Sequence, residues 1–500
     1  MYKLDIDKKT LSVITFLSFI IFLPIIFSNH YYVDDLGRSI IGYSNWSQNG
    51  RPVADLIFLA ISFGPVLPDI SPLPQIVAII AMSFCAYLCT AAFIDGESRI
   101  AKVMAVMPLI TSPFLLENMS YKYDSLPMTV SILCAALPFV LKINRWQAQF
   151  IACMISTMLV LCIYQASINI YIIFSIVLVL YDFKEGRTRK GFAVIATSVS
   201  GLFISYLTYS KLISPSLLAG SYNIRHSELA TSGLKETLDV ISRNIEIFLK
   251  LISLSFTPAF LIFSIITFVI ALIGIIKLTL VKCESRAYVK AIKNAIIVAS
   301  PFAILLLIAG PMLLLKDPVV SPRVLMAFGA TITFFTILAL WTVEKNKHLK
   351  NIISIVFSLY YLYSLGFSFA YANALDNQEK YENSVITTMI SDINGNDFEK
   401  HEKIAFKGKM PISPEGRLAQ KKYPLIGSLI QPSINNQWWW GYSQMTHFDL
   451  NLKLAPYEFL IGLKSNICKS KLIQQSNSYF LFQNTENKTI IFDFDKTHCN

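Results

Sequence analysis

Apolar residues fall in long runs over the first three quarters of the chain, and the runs carry almost no charge. The stretch Leu11–Phe27 is one of them, and similar runs recur at short intervals as far as about residue 371. A helix needs about 20 apolar residues to cross the hydrocarbon core of a bilayer. In lipid it must also satisfy its backbone polar groups internally. The pattern predicts about eleven spans, at roughly 10–28, 74–94, 100–117, 126–142, 149–164, 167–181, 192–212, 254–280, 294–315, 323–342 and 351–371. Segment 53–67 is too short and too broken by proline to cross, and reads as a re-entrant or interfacial helix.

After about residue 372 the pattern changes. Asp376–Ile393 has the period of an amphipathic helix, and Lys403–Phe406 reads as a short strand. Ser478–Gln483 and Thr489–Phe494 flank Asn484-Thr485-Glu486-Asn487, which predicts a hairpin. The expected fold is a polytopic α-helical membrane protein with a small α+β C-terminal domain. Residues 1–371 form the membrane part, with outer loops at 29–73, 118–125, 213–253 and 316–322, and residues 372–500 form the outer domain.

Composition agrees with this picture: 54% of residues are hydrophobic and 15% charged, against about 25% charged in soluble domains. Basic residues set the orientation. Lys3, Lys8 and Lys9 precede the first span. Lys142 and Arg145, then Lys184, Arg187, Arg189 and Lys190, then Lys282, Arg286, Lys290 and Lys293, then Lys345, Lys347 and Lys350 fall on the same side. The N-terminus is therefore expected in the cytoplasm and the C-terminal domain outside, in the periplasm if the membrane is a bacterial inner membrane. The net charge of +11 largely follows from this asymmetry and gives no reason to expect a nucleic-acid partner. The first span lacks a small-residue cleavage site and is expected to be retained. Cys85, Cys89, Cys134, Cys153 and Cys162 lie in spans, and Cys283 faces the cytoplasm. Cys468 and Cys499 share the outer domain, where an oxidising compartment permits a disulfide. No His/Cys cluster has metal-ligand spacing and no phosphate-binding glycine loop is present, so no metal and no nucleotide cofactor is expected.

Polar residues of the membrane half gather at the outer ends of spans. The first outer loop holds Tyr32, Asp34, Asp35, Arg38, Trp46 and Arg51. The second holds Glu117, Tyr121, Lys122, Tyr123 and Asp124, and a later one holds Ser321, Pro322 and Arg323. Each group has a plainer reading: a solvated loop start for the aspartates, surface ion pairs of little energetic value for Glu117, Lys122 and Asp124, a snorkelling side chain for Arg323. Together they suit transfer to a hydroxyl from a phosphate-activated donor. Asp35, slightly ahead of Asp34, is the candidate base, with Glu117 and Asp124 in reserve. Arg38, Lys122 and Arg323 are candidates to neutralise the donor phosphate. Tyr32, Trp46, Tyr121, Tyr123 and Trp439 are candidates to bind sugar or acceptor, since aromatic faces stack on sugar rings; the Trp438-Trp439-Trp440 run also suits a core or a membrane interface.

The stretch Tyr32-Val33-Asp34-Asp35-Leu36-Gly37-Arg38 with Asn49-Gly50-Arg51-Pro52, then Glu117-Asn118 to Tyr121-Lys122-Tyr123-Asp124-Ser125, then Ser321-Pro322-Arg323, resembles the phage-type serotype-converting O-antigen glucosyltransferases. The resemblance runs to about residue 370. It implies a GT-C class membrane glycosyltransferase in a Gram-negative inner membrane. It implies glucosyl transfer from undecaprenyl-phosphate glucose, a lipid-linked polyprenyl-phosphate sugar, to O-antigen of lipopolysaccharide on the periplasmic face. It also implies a flippase and a donor-synthesising glucosyltransferase as partners. Two other readings compete. A transporter or flippase would place polar sites near mid-membrane, whereas these span centres are nearly free of charge. An O-antigen polymerase or ligase would be expected to carry a large basic outer loop between spans.

Overall fold

The computed structural model describes residues 6–230, 233–281, 286–396, 403–436, 438–450 and 452–498. Lys3, Lys282, Cys283 and Cys499, named above, lie outside them. The chain divides into two compact units. The first comprises Met1–Ile26, Ser44–Pro65 and Ile70–Phe369, and the second Phe27–Tyr43, Val66–Asp69 and Ala370–Asn500.

Among the described residues nine helices are long and apolar enough to cross a membrane: Lys8–Ser28, Leu73–Phe93, Trp146–Ile163, Gln165–Lys184, Thr188–Leu217, Pro258–Thr279, Ala287–Leu306, Pro322–Val343 and Lys347–Gly395. Nine of the eleven expected spans thus coincide with helices of spanning length, and the other two take a different form. The span expected at 100–117 is three short helices, Arg99–Val106, Pro108–Thr111 and Leu115–Ser120. Proline is the cause. Pro108 lacks a backbone donor, and Pro113 pushes Ser112 out of the helical region to φ −55°, ψ 128°. The span expected at 126–142 is Ser125–Val140, a 16-residue helix. At a rise of about 1.5 Å per residue it covers less than a full hydrocarbon core. Pro52–Ser62, in the segment read as non-crossing, is a helix of 11 residues.

Within the first unit, Gln165–Lys184 and Pro322–Val343 are almost wholly buried. Polar side chains cross-link the bundle, as is common where no hydrophobic effect separates helix from solvent. Tyr171 Oη donates to the Ser198 carbonyl at 3.0 Å, and Trp341 Nε1 to the Phe93 carbonyl at 2.8 Å. Outer helices turn apolar faces away from the protein: Ile262, Ile265, Val269, Ile273 and Ile276 of Pro258–Thr279 are exposed. Such a continuous apolar surface is what a lipid-facing helix presents.

The helix Lys347–Gly395 runs without a break through the expected amphipathic helix, and its residues from Ala370 on belong to the second unit. Five strands follow: β1 Lys403–Lys407, β2 Lys453–Leu454, β3 Lys471–Gln475, β4 Phe480–Asn484 and β5 Thr489–Asp493, in the sheet order β2-β1-β5-β4-β3. The expected hairpin is present as β4 antiparallel to β5, paired from Phe480↔Asp493 to Asn484↔Thr489. Asn484 Oδ1 accepts the Asn487 amide at 3.0 Å and shapes the turn. Alternate residues cover both faces of the sheet. Ile404, Phe406, Leu481, Ile490 and Phe492 pack with Val385, Ile386, Met389 and Ile393 of the long helix. Ala405, Phe480, Phe482 and Ile491 pack with Phe459, Leu460, Leu463 and Ile467. Every residue of β5 is buried, as expected of a central strand covered on both sides. Cys468 is disulfide-bonded, whereas Cys85, Cys89, Cys134, Cys153 and Cys162 carry free thiols.

Candidate functional site

The sequence-derived candidates fall into two groups, one in each unit. In the first unit Glu117 lies on Leu115–Ser120 and is 1% exposed. Its carboxylate accepts Ser321 Oγ at 2.7 and 2.8 Å and the Arg323 amide at 2.6 Å. Arg323 Nη1 stands 3.8 Å from Glu117 Oε1, and its guanidinium lies 5.3 Å from the centre of the Tyr121 ring. Asn118 Nδ2 completes the join by donating to the Arg323 carbonyl at 3.2 Å. The residues after Ser321 begin the 3-10 helix Pro322–Leu325. Glu117 thus supplies the acceptor that its first turn needs, since a helix start leaves amides without intrahelical partners.

Asp124 precedes the helix Ser125–Val140 and accepts Trp46 Nε1 at 2.7 Å. Trp46 is fully buried, stacked on Phe58 with ring centres 4.8 Å apart, and Phe58 in turn lies against Tyr123. Trp46, Tyr121 and Tyr123 are all buried to 1% exposure or less, so none presents an open ring face. Lys122 is also buried. Asp55 accepts the amides of Trp46 and Ser47 and the Ser47 hydroxyl, which fixes the turn that carries Trp46.

A third group of this unit was quoted in part by the sequence pattern. Gly50 turns the chain at φ 73°, and a Cβ there would collide with the Tyr209 hydroxyl. Tyr209 Oη and Gln165 Nε2 both donate to the Gly50 carbonyl, at 2.9 and 3.3 Å, and Gln165 Nε2 also donates to Tyr209 Oη at 3.0 Å. The next residue, Arg51, donates from Nε to Gln165 Oε1 at 3.3 Å and lies 4.7 Å over the Tyr164 ring. Nothing local in the sequence marks Tyr164, Gln165 or Tyr209 as neighbours of Arg51.

In the second unit, Tyr32, Asp34, Asp35 and Arg38 lie at or just before the short helix Asp35–Ile41. The adjacent aspartates take different partners. Asp34 Oδ1 accepts Trp440 Nε1 at 3.1 Å and the residue is half-buried. Asp35 is fully buried, and its Oδ2 accepts the Tyr32 amide at 3.3 Å. Tyr32, also fully buried, donates to the Leu429 carbonyl at 2.7 Å. Arg38 is buried, with its guanidinium 5.5 Å from the Tyr43 ring centre. The three consecutive tryptophans separate in role. Trp439 packs on Gly37, where a Cβ would collide with the indole, and its ring is 6.1 Å from that of Tyr43. Trp438 and Trp440 stack at 4.9 Å and 8°, and Trp438 is 42% exposed. Sequence reasoning chose Trp439 as the sugar contact and did not single out Trp440 as the partner of Asp34. His30 Nδ1 meets Glu379 at 3.2 Å, and Tyr31 stacks on His447. Burial pushes the Tyr31 hydroxyl up in pKa, and its hydrogen bond to Asp69 adds to the shift.

No group of three or more His, Cys, Asp or Glu among the described residues is placed to hold a metal ion. No solved structure matches the chain. The chain is 32% identical over 456 residues to an uncharacterised 55.3 kDa protein from the gtrB 5′ region of Salmonella phage P22, covering 90% of this chain and 93% of that protein. The profile of the glucosyl transferase GtrII family matches residues 23–334. That match takes in both aspartates of Asp34-Asp35, Glu117, Asp124 and Arg323, and with it the chain belongs to the glucosyl transferase GtrII family.

Proposed function

We propose that the protein transfers a glucosyl residue from undecaprenyl-phosphate glucose to a lipid-linked O-antigen sugar on the periplasmic face of a Gram-negative inner membrane. The observation that carries this reading is family membership in a glucosyl transferase, in a chain whose candidate acids and bases stand at the ends of apolar helices. A donor held in the membrane by its polyprenyl tail presents its phosphate at headgroup level. Residues at helix ends meet it there, whereas a water-soluble nucleotide sugar needs no such placement. The fold we propose is of the GT-C class, with the broken segment Arg99–Ser120 and the helix Ser125–Val140 completing eleven crossings.

The chemistry is a single displacement. A carboxylate takes the proton from the acceptor hydroxyl. The hydroxyl oxygen then attacks the anomeric carbon, the bond from that carbon to the phosphate oxygen breaks, and polyprenyl phosphate leaves. If the donor is β-linked and the product α-linked, no covalent enzyme intermediate is needed. Asp34 and Asp35 are the proposed base pair, and accessibility puts Asp34 ahead, because Asp35 is wholly buried. Lys122 and Arg323 of the first unit are proposed to neutralise the leaving phosphate, with Glu117 holding Arg323; Arg38 is the candidate of the second unit for the same role. A flippase and a donor-synthesising glucosyltransferase would supply the donor on this side.

The test is the sugar composition of surface lipopolysaccharide with and without the protein, in hosts that make the donor. Added glucose in at least one O-antigen background is expected. No added hexose in any background would overturn the reading.

A further inference from the structure

We infer that Arg51 binds the phosphate of the lipid-linked donor, as a preformed anion contact of the first unit that complements the basic residues proposed above. The inference rests on the glucosyl transfer reading for the identity of the anion. Arg51 is half-buried, and its guanidinium is held from two directions. Gln165 Oε1 takes its Nε–H at 3.3 Å, and the Tyr164 ring lies 4.7 Å beneath it. Among the described residues no hydrogen bond or ion pair uses its terminal nitrogens, and no carboxylate reaches it within 4 Å. A guanidinium so oriented presents two parallel N–H donors, the geometry that suits a phosphate.

The frame around it is built from distant parts of the chain. Gly50, Gln165 and Tyr209 bond to one another in a closed triangle, which fixes the backbone immediately before Arg51. Tyr209 opens a π-helical turn, Tyr209–Ile213, a deviation frequent at functional sites. Leu161, Cys162 and Tyr209 form the small apolar cluster behind, with Val53 and Ile213 against it. Arg323, by contrast, already has Glu117 as its counter-charge. A cation held half out of water without an anion is costly to keep, and an anionic ligand removes that cost.

The same geometry would accept any lipid phosphate, so the experiment separates the sources. The full-length protein in detergent is titrated with undecaprenyl phosphate, with undecaprenol and with phosphatidylglycerol, and binding is read by native mass spectrometry. Arg51→Ala is expected to weaken undecaprenyl phosphate about 10- to 100-fold, the worth of a charge-assisted hydrogen bond or pair of them, and to leave undecaprenol unchanged. Arg51→Lys keeps the charge and loses the planar fork, and is expected to recover only part of the affinity. Unchanged undecaprenyl phosphate affinity in Arg51→Ala overturns the inference. An equal loss of phosphatidylglycerol also overturns it, since Arg51 would then be a general headgroup contact. If Arg51→Ala loses undecaprenol as well, its fold is damaged and Arg51→Lys decides by the same two criteria. A parent protein that binds undecaprenyl phosphate no better than undecaprenol would instead refute the donor named in the proposed function.

Discussion

The adjacent aspartates show how much a residue's role depends on what surrounds it. Asp34 and Asp35 have the same side chain and neighbouring positions, yet one carboxylate accepts an indole N–H and stays half-buried while the other turns inward to the Tyr32 amide. A general base must reach the acceptor hydroxyl. Asp34→Asn is therefore expected to lower turnover about 10²-fold or more at matched membrane expression. Asp35→Asn should act more through the fold of the segment, lowering expression or thermal stability along with activity. Transfer assays on both variants decide the matter. Near-normal turnover in both, with Glu117→Gln or Asp124→Asn inactive, would move the base to the first unit. The aromatic candidates divide in the same way. Trp46, Tyr121 and Tyr123 bury their rings and Trp439 packs on Gly37, whereas Trp438 keeps an exposed face.

At the scale of elements, proline decides where helices stop. Pro108 and Pro113 divide a run whose hydropathy alone predicts one span, and the chain after them carries Glu117 into the protein. Glu117 then ties two segments far apart in sequence, accepting from Ser321 and from the Arg323 amide. Removing that acceptor leaves buried donors unmet, at about 1–3 kcal/mol each. Glu117→Ala is expected to lower the melting temperature of the purified protein clearly, and Ser321→Ala to lower it less, because the Arg323 amide keeps its partner. A melting temperature unchanged in Glu117→Ala would show that the carboxylate does not hold the loop. The hairpin at β4 and β5 is the opposite case. Alternating apolar residues and an Asn-rich turn are local signals, and the element formed where they predict it.

For the whole molecule the question is which side of the membrane each end occupies. The basic residues gather at Lys142 and Arg145, at Lys184 to Lys190 and at Lys345 to Lys350. These stretches belong inside if the positive-inside rule holds. Reporter fusions at about residue 375 are then expected to be active only as periplasmic reporters. Cytoplasmic activity at that position would reverse the topology and remove the outer placement of every candidate residue.

Much of the architecture was legible without coordinates, because membrane insertion depends on the hydropathy of contiguous residues, which a sequence displays directly. Hydropathy determined the bundle, turn chemistry determined the hairpin, and the clustering of acids and bases at loop ends determined where to look for a site. The tertiary structure alone decided which of those residues meet. Trp46 and Asp124 are 78 positions apart, Glu117 and Ser321 204, and Asp34 and Trp440 406. No local pattern encodes such pairs. They arise when helices pack and a buried donor must find an acceptor or bear the cost of having none. The same requirement left Gln165 and the Tyr164 ring holding Arg51, a residue whose surroundings only the folded chain could define.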